Sequence, residues 1–260
     1  MISDLTPHIL SCFRKQALWT DLFFLAKVDL VALKREIEKE ESLVHTYLCQ
    51  QESEQFAGYT YPKRRYEWLG GRIAAKYAAW CFFADSTAVS MEKIMWKDVQ
   101  VCQNKHKRPY LYSSFTNKGL PHVSISHSHT YALAMASGHK CGVDIQEISE
   151  TIERVQGRFL TLQEQKMLLR TASHSESRRY YLTMLWSAKE AIKKSSHMQP
   201  LPGFLEITLC SIDKIDENGF HLRFKLNKQK GDTFYNVFAL PYLSSAIALT
   251  LNTEDFPCSR

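Results

Sequence analysis

Glycine and proline are scarce, ten and eight in 260 residues, which excludes a collagen-like, low-complexity or disordered chain. Long apolar runs are missing too. The longest, Ala78 to Ala84 and Ala246 to Leu251, fall far short of the roughly 20 residues that span a bilayer, so no transmembrane helix and no membrane partner are expected. Asp4, His8 and Arg14 interrupt the first segment before a signal-peptide core accumulates, and a cytoplasmic protein is expected. The seven cysteines, at 12, 49, 81, 102, 141, 210 and 258, are odd in number, and no pair lies closer than 81 and 102. That scatter argues against a disulfide framework or a CxxC zinc site and for reduced, mostly buried thiols.

What is present is a globular composition, 45% apolar and 23% charged, long enough for one large domain or two modest ones. Lys and Arg number 33 against 27 Asp and Glu, a net charge of +6, which favours anionic partners: nucleic acid, an acidic protein or a phosphorylated metabolite. A buried strand over 22–28 is followed by a polar helical stretch from Val31 to Gln55 and a helix from Pro62 through Trp80. From Val99 the texture turns β-like. Residues 123–127 and 131–136 flank a hairpin turn at Ser128, His129 and Thr130, and a strand follows over 141–145. Thr161 and Glu164 form a capping-box pattern, a long helix spans Glu176 to His197, and four strands close the chain over 206–212, 219–226, 233–240 and 245–251. Strand, helices and strands thus occur twice. The expected fold is α+β, two similar halves over 1–138 and 139–260 related by a pseudo-twofold, without visible sequence identity. A cleft between them is the default place for an active site.

Four clusters carry possible chemistry. In Gly142-Val143-Asp144-Ile145-Gln146-Glu147, strand alternation puts Asp144 and Gln146 on one face, where two oxygens suit a hard cation; a solvated strand end reads the same way. On a helix, Trp186, Glu190 and Lys194 form one stripe with Lys189 and Lys193 beside it, able to ligate a metal and contact phosphate. An exposed helix laced by ion pairs around one buried tryptophan fits equally. His127 and His129, two apart, suit a metal pair or a hydrogen-bonding strand end, and the alternating serines Ser124 and Ser126 suit a phosphate. Lys63, Arg64 and Arg65 lead a basic helix on which Arg72 and Lys76, one turn apart, can clamp a phosphate or simply face solvent. A nucleic-acid surface would need interleaved aromatics, and only Tyr61, Tyr66 and Trp68 are at hand, so no nucleic-acid partner is expected.

In this order the clusters resemble the 4′-phosphopantetheinyl transferases, in particular the monomeric, two-half Sfp-type branch. The resemblance spans residues 63–194. It is carried by Lys63-Arg64-Arg65 to Gly71-Arg72 and Lys76, Lys107-Arg108-Pro109-Tyr110-Leu111, Ser124-Ile125-Ser126-His127-Ser128, Gly142-Val143-Asp144-Ile145, Arg158 to Glu164, and Trp186 through Lys194 with its Lys189-Glu190 step. It implies an enzyme, a holo-[acyl-carrier-protein] synthase, that moves the phosphopantetheine arm of coenzyme A to a serine of an acyl, polyketide or peptidyl carrier protein and releases adenosine 3′,5′-bisphosphate. It implies Mg²⁺, with Mn²⁺ as a substitute, on Asp144, Glu190 and Gln146. Glu190 is also a candidate base, with a metal-bound water as the rival. Lys194, with Lys189 beside it, is implied at the phosphates; Arg72 and His127 are implied at the 3′-phosphate, Ser126 as a further phosphate contact, Lys76 as another coenzyme-binding residue, and Lys107, Arg108 and Pro109 beside the adenine. Many members carry a carboxylate where this chain has Gln146, which implies a weaker metal shell. An inactive homologue that only binds coenzyme A or a carrier protein is the alternative.

Overall fold

The computed structural model describes residues 1–13, 23–86, 96–113, 119–171, 175–196, 198–215, 219–226 and 232–252. Two units emerge, one from Met1–Ser11 and Gln16–His139, the other from Cys12–Lys15 and Lys140–Arg260.

The first unit opens with β1 (Ile2–Asp4), α1 (Thr6–Phe13) and β2 (Phe23–Asp29). Asp29 ends that strand by accepting a hydrogen bond from Ala32 N at 2.9 Å, capping α2 (Leu30–Lys39). A 3₁₀ turn, Glu41–Leu43, leads into α3 (Val44–Tyr47) and α4 (Gln50–Ala57), so the single helical stretch expected over 31–55 is broken at Glu40 and at Leu48–Cys49. The long α5 (Pro62–Ser86) starts on its proline, which has no N–H to leave unsatisfied. A hairpin, β3 (Val99–Gln103) and β4 (Pro109–Ser113), precedes β5 (His122–His127) and β6 (Tyr131–Ser137). The expected turn at 128–130 is there: Ser128 Oγ accepts from Thr130 N and Tyr131 N. The sheet order is β1-β2-β6-β5, and β4 runs beside β5 without joining its ladder. Helix α5 lies across β2, β6 and β5.

The second unit is β7 (Lys140–Glu147), α6 (Thr151–Val155), α7 (Leu162–Thr171), α8 (Ser175–Ser195), then β8 (Ile207–Lys214), β9 (Phe220–Leu226), β10 (Thr233–Tyr242) and β11 (Ser245–Asn252). His197, expected at the end of the long helix, lies outside the described residues. The antiparallel sheet runs β7-β11-β10-β9-β8, with α8 across β7, β11 and β10. Each unit buries its own core, built around Leu33, Leu69 and Ile73 in one and around Leu182, Leu185 and Phe224 in the other. Each such side chain contributes about 1.5 to 3 kcal/mol.

The two units follow one plan. In the first unit β2 pairs with β6 and β6 with β5, in the second β7 pairs with β11 and β11 with β10, and in each a long helix covers those three strands. The mixed α+β architecture in two similar halves is therefore present, and what marks the likeness is topology together with one buried lysine–glutamate arrangement, described with the site. Among the described residues no helix is long and apolar enough to cross a membrane.

Candidate active site

In the second unit β7 lies against α8 so closely that only glycine fits at one position. A Cβ on Gly142 would stand 1.9 Å from Ala191 O and 2.8 Å from its carbon. Alternation then turns Asp144 and Gln146 to the same side as Gly142, toward the helix. Their cross-strand neighbours on β11 are Ala248 and Ala246, which leave that face uncrowded. Asp144 is nearly buried, and Lys194 Nζ reaches across from α8 to its Oδ1 at 2.8 Å and to Val143 O at 3.0 Å. Glu190, one turn earlier on the helix, is partly exposed and meets Lys193 Nζ at 3.5 Å. Lys193 in turn sits 4.0 Å from the centre of the Phe204 ring. Trp186 anchors the stripe between Phe204, at 4.6 Å between ring centres, and Phe159, edge-on at 5.2 Å. Of the Trp186–Glu190–Lys194 stripe, Lys194 is the member that reaches the strand carrying Asp144.

Lys189 points the other way. Its side chain is fully buried, its Nζ 2.7 Å from Glu164 Oε1, and it donates to Phe159 O at 2.7 Å and Phe204 O at 3.2 Å. Glu164 also accepts from Thr161 N and Leu209 N, so the capping box expected at Thr161 is half of a larger network. The first unit repeats this arrangement. Lys76 pairs with buried Glu52 and donates to Tyr47 O at 2.7 Å and Trp96 O at 3.1 Å, while Glu52 accepts from Cys49 N and Val101 N. In each unit the first carbonyl lies five residues before the glutamate, and the second opens a 3₁₀ turn, Trp96–Asp98 or Phe204–Glu206. Burial pushes both ammonium groups below the ordinary lysine range, opposed by the partner carboxylate. Both lysines were expected to contact the coenzyme. With three acceptors around each, neither has a hydrogen to offer a phosphate, and the expectation is corrected: they tie helices to sheets.

The basic residues of the first unit meet elsewhere. A cavity of about 260 Å³ is lined by Arg64, Glu67, Trp68, Arg72, Lys107 and His127, with Pro109 at its wall. Helix α5 comes close to β5 here because Gly71 has no side chain; a Cβ would stand 2.9 Å from Ile125 Cγ2. Arg72 is almost buried, its guanidinium carbon 4.0 Å from the centre of the Trp68 ring, and its Nε has no hydrogen-bond partner among the described residues. Burial pulls that guanidinium below its ordinary range, Glu52 opposing. Lys107 is held by a tight turn in which its own φ is +60°. Asn104 Oδ1 accepts from His106 N and Arg108 N, and Asn104 O from Lys107 N. Arg108 is outside the lining, and burial pulls its guanidinium down as well. Ser126 is also outside: Ile125 and His127 face the cavity, and alternation turns Ser126 to the opposite face of β5, where it is buried. His129 sits in the hairpin turn after β5, and no group of three or more His, Cys, Asp or Glu that could hold a metal ion converges among the described residues. Glu67, Tyr59 and Gln103 were not singled out in the sequence, and Trp68 was weighed only as a stacking aromatic. The i,i+4 spacing of Trp68 and Arg72 was a usable signal; Gln103 and Tyr59 arrive only through the fold.

The family described as the 4′-phosphopantetheinyl transferase superfamily matches residues 140–251, from β7 to the end of β11. A holo-[acyl-carrier-protein] synthase of Oceanobacillus iheyensis is 32% identical over 110 residues, which are 41% of this chain and 88% of that protein. The chain belongs to the 4′-phosphopantetheinyl transferase superfamily. A second family member of the same name, from Halalkalibacterium halodurans, is 37% identical over 110 residues, 41% of this chain and 87% of the relative. A solved holo-(acyl-carrier-protein) synthase from Bacillus anthracis, in complex with CoA (3′,5′-ADP), is 24% identical, with a TM-score of 0.37, over 44% of this chain and 91% of that one. These phosphopantetheinyl transferase relatives are covered almost end to end by less than half of the present chain.

Proposed function

We propose that the chain transfers the 4′-phosphopantetheine arm of coenzyme A to a serine of an apo acyl, polyketide or peptidyl carrier protein, releasing adenosine 3′,5′-bisphosphate, as a two-half member of the Sfp-type branch. The observation that carries this reading is the coincidence of family membership with the Lys194–Asp144 contact where β7 meets α8, one helical turn from Glu190. In the transfer, a serine oxygen forms a bond to the phosphorus that bears the pantetheine arm, and the anhydride P–O bond breaks. The electron pair leaves on the adenosine bisphosphate, and the serine proton must go to a base. That chemistry needs alignment and neutralised charge more than it needs a covalent partner.

The second unit supplies the reacting end. Lys194 offers a fixed cation to the diphosphate beside Asp144. Glu190, partly open to solvent, is the acceptor for the serine proton. A hard-oxygen donor set of two carboxylates and the Gln146 amide, with alanines across the sheet, fits Mg²⁺ or Mn²⁺, cations that keep waters and take phosphate oxygens. Held by Asp144, Glu190 and Gln146, such an ion would neutralise the diphosphate and polarise its phosphoryl oxygens. The first unit supplies donor recognition: Arg72 and His127 around the 3′-phosphate, joined in the same lining by Lys107, which the sequence had placed beside the adenine, and Pro109 beside the adenine. The +6 net charge attracts an acidic carrier protein.

Chromatographic assay of adenosine 3′,5′-bisphosphate tests the proposal. Release from coenzyme A and Mg²⁺ should require apo carrier protein and stop when its serine is changed to alanine. Release that ignores the carrier would point to hydrolysis, and no release with any carrier class would point to a binding protein.

A further inference from the structure

We infer that Glu67 is a positioning residue that orients His127 and Arg64 for anion binding in the cavity of the first unit; this rests on the reading that the cavity receives the donor's 3′-phosphate. A carboxylate is out of place in a pocket for a phosphate, and this one is nearly buried, its side chain 7% exposed. Three cationic or cationisable groups surround it. Arg64 Nη1 stands 3.3 Å from Oε2, while His127 Nδ1 and Lys63 Nζ stand 3.8 and 3.9 Å from Oε1.

Two roles compete. Glu67 could be an internal anion that occupies the phosphate's place, or a fixed counter-charge that holds the cations in position. The division of the cavity decides between them. Among the described residues Arg72 and Lys107 make no ion pair with Glu67: Arg72 is stacked on Trp68 and Lys107 comes from the β3–β4 turn. Glu67 therefore fixes Arg64 and His127 and leaves Arg72 and Lys107 uncommitted in the same lining, so that an incoming anion meets all four. The cavity lining around His127 includes Arg64, Glu67 and Arg72 from α5, Tyr59 from the loop before it, and Lys107; its cross-strand neighbour Ala132 adds no charge. With Nδ1 on the carboxylate side, the ring turns its Nε2 edge the opposite way. A carboxylate at that range favours the imidazolium, which donates from both nitrogens.

Steady-state kinetics with coenzyme A and with dephospho-coenzyme A, across pH, for wild type, Glu67→Gln and Glu67→Asp test the role. Glu67→Gln should raise the coenzyme A KM about tenfold with kcat retained, since one charge-assisted contact is weakened. Its KM for dephospho-coenzyme A should stay at the wild-type value. The coenzyme A KM of the variant should begin to climb at a lower pH than that of wild type, and Glu67→Asp should restore part of both effects. A lower KM in Glu67→Gln would make the carboxylate a competitor and overturn the inference. An equal rise for both donors would make it merely structural, with the same consequence. A wild type that treats the two donors alike would overturn the cavity assignment itself, and the role of Glu67 with it.

Discussion

Replacing Gly142 by alanine adds one methyl group where the strand carrying Asp144 meets the helix carrying Glu190 and Lys194. The new carbon would lie 1.9 Å from Ala191 O, 2.8 Å from Ala191 C and 3.1 Å from Ser195 N. All three are backbone atoms of one helix, so no side chain can swing away. Strand and helix must part by about 1 Å or more to recover contact distance. Overpacking against flexible neighbours costs about 1 to 3 kcal/mol, and against backbone the upper end applies, about 3 kcal/mol. For a chain of this size that lowers Tm by about 6 to 12 °C. Asp144 rides on the same strand two residues away, so its 2.8 Å contact with Lys194 should be lost and carrier modification should fail well below the new Tm. Gly157 is the control, since a Cβ there meets nothing within 4 Å, and Gly157→Ala should stay within about 0.5 kcal/mol of wild type. Thermal melts followed by circular dichroism, with an activity assay on the same samples, read both effects. A Gly142→Ala protein with wild-type Tm and activity would refute the close approach of β7 to α8.

Lys189→Met and Lys76→Met each strand a buried glutamate and should destabilise by about 3 to 5 kcal/mol in denaturant melts without changing discrimination between coenzyme A and its dephospho form; near-wild-type stability would mean the pairs are not formed. Arg72→Ala should raise the coenzyme A KM more than it lowers kcat and leave dephospho-coenzyme A little affected. If that variant still separates the two donors as sharply as wild type, Arg72 does not hold the 3′-phosphate. Gln146→Glu adds a charge to the proposed metal shell, so calorimetry should find tighter Mg²⁺ binding without coenzyme A and weaker coupling between metal and donor; equal affinities with and without the donor in both proteins would sink that account.

Legibility in the sequence followed the range of the forces involved. The 128–130 turn, the Thr161 cap and the four C-terminal strands rest on local hydrogen bonds and alternation, and they lie where the pattern puts them. The helical stretch over 31–55 was read through its breaks because no glycine or proline marks them. Tyr47 O is taken by Lys76, a tertiary contact at the end of one helix, while Cys49 N is taken by Glu52, a local cap that starts the next. The same long-range pairing withdrew Lys76 and Lys189 from the coenzyme, since a lysine on a motif reads as a phosphate ligand until its partner is known. Ser126 failed on parity: it shares a strand with His127 but not a face. Glu67 went unnoticed because beside Lys63 and Arg64 it looked like an ordinary i,i+3 and i,i+4 surface partner, and only the packing of α5 on β5 buries it.

Intact-mass spectrometry of an apo carrier protein, incubated with coenzyme A, Mg²⁺ and either wild type or Glu190→Gln, bears most directly on the claim that this chain is a transferase working through the β7–α8 residues. Wild type should shift the carrier by the mass of one phosphopantetheine arm, and Glu190→Gln, folded by circular dichroism, should leave it unmodified on the same timescale, a loss of several kcal/mol of transition-state stabilisation. Equal modification by both proteins would contradict the site, and an unmodified carrier from wild type across the acyl, polyketide and peptidyl classes would contradict the activity.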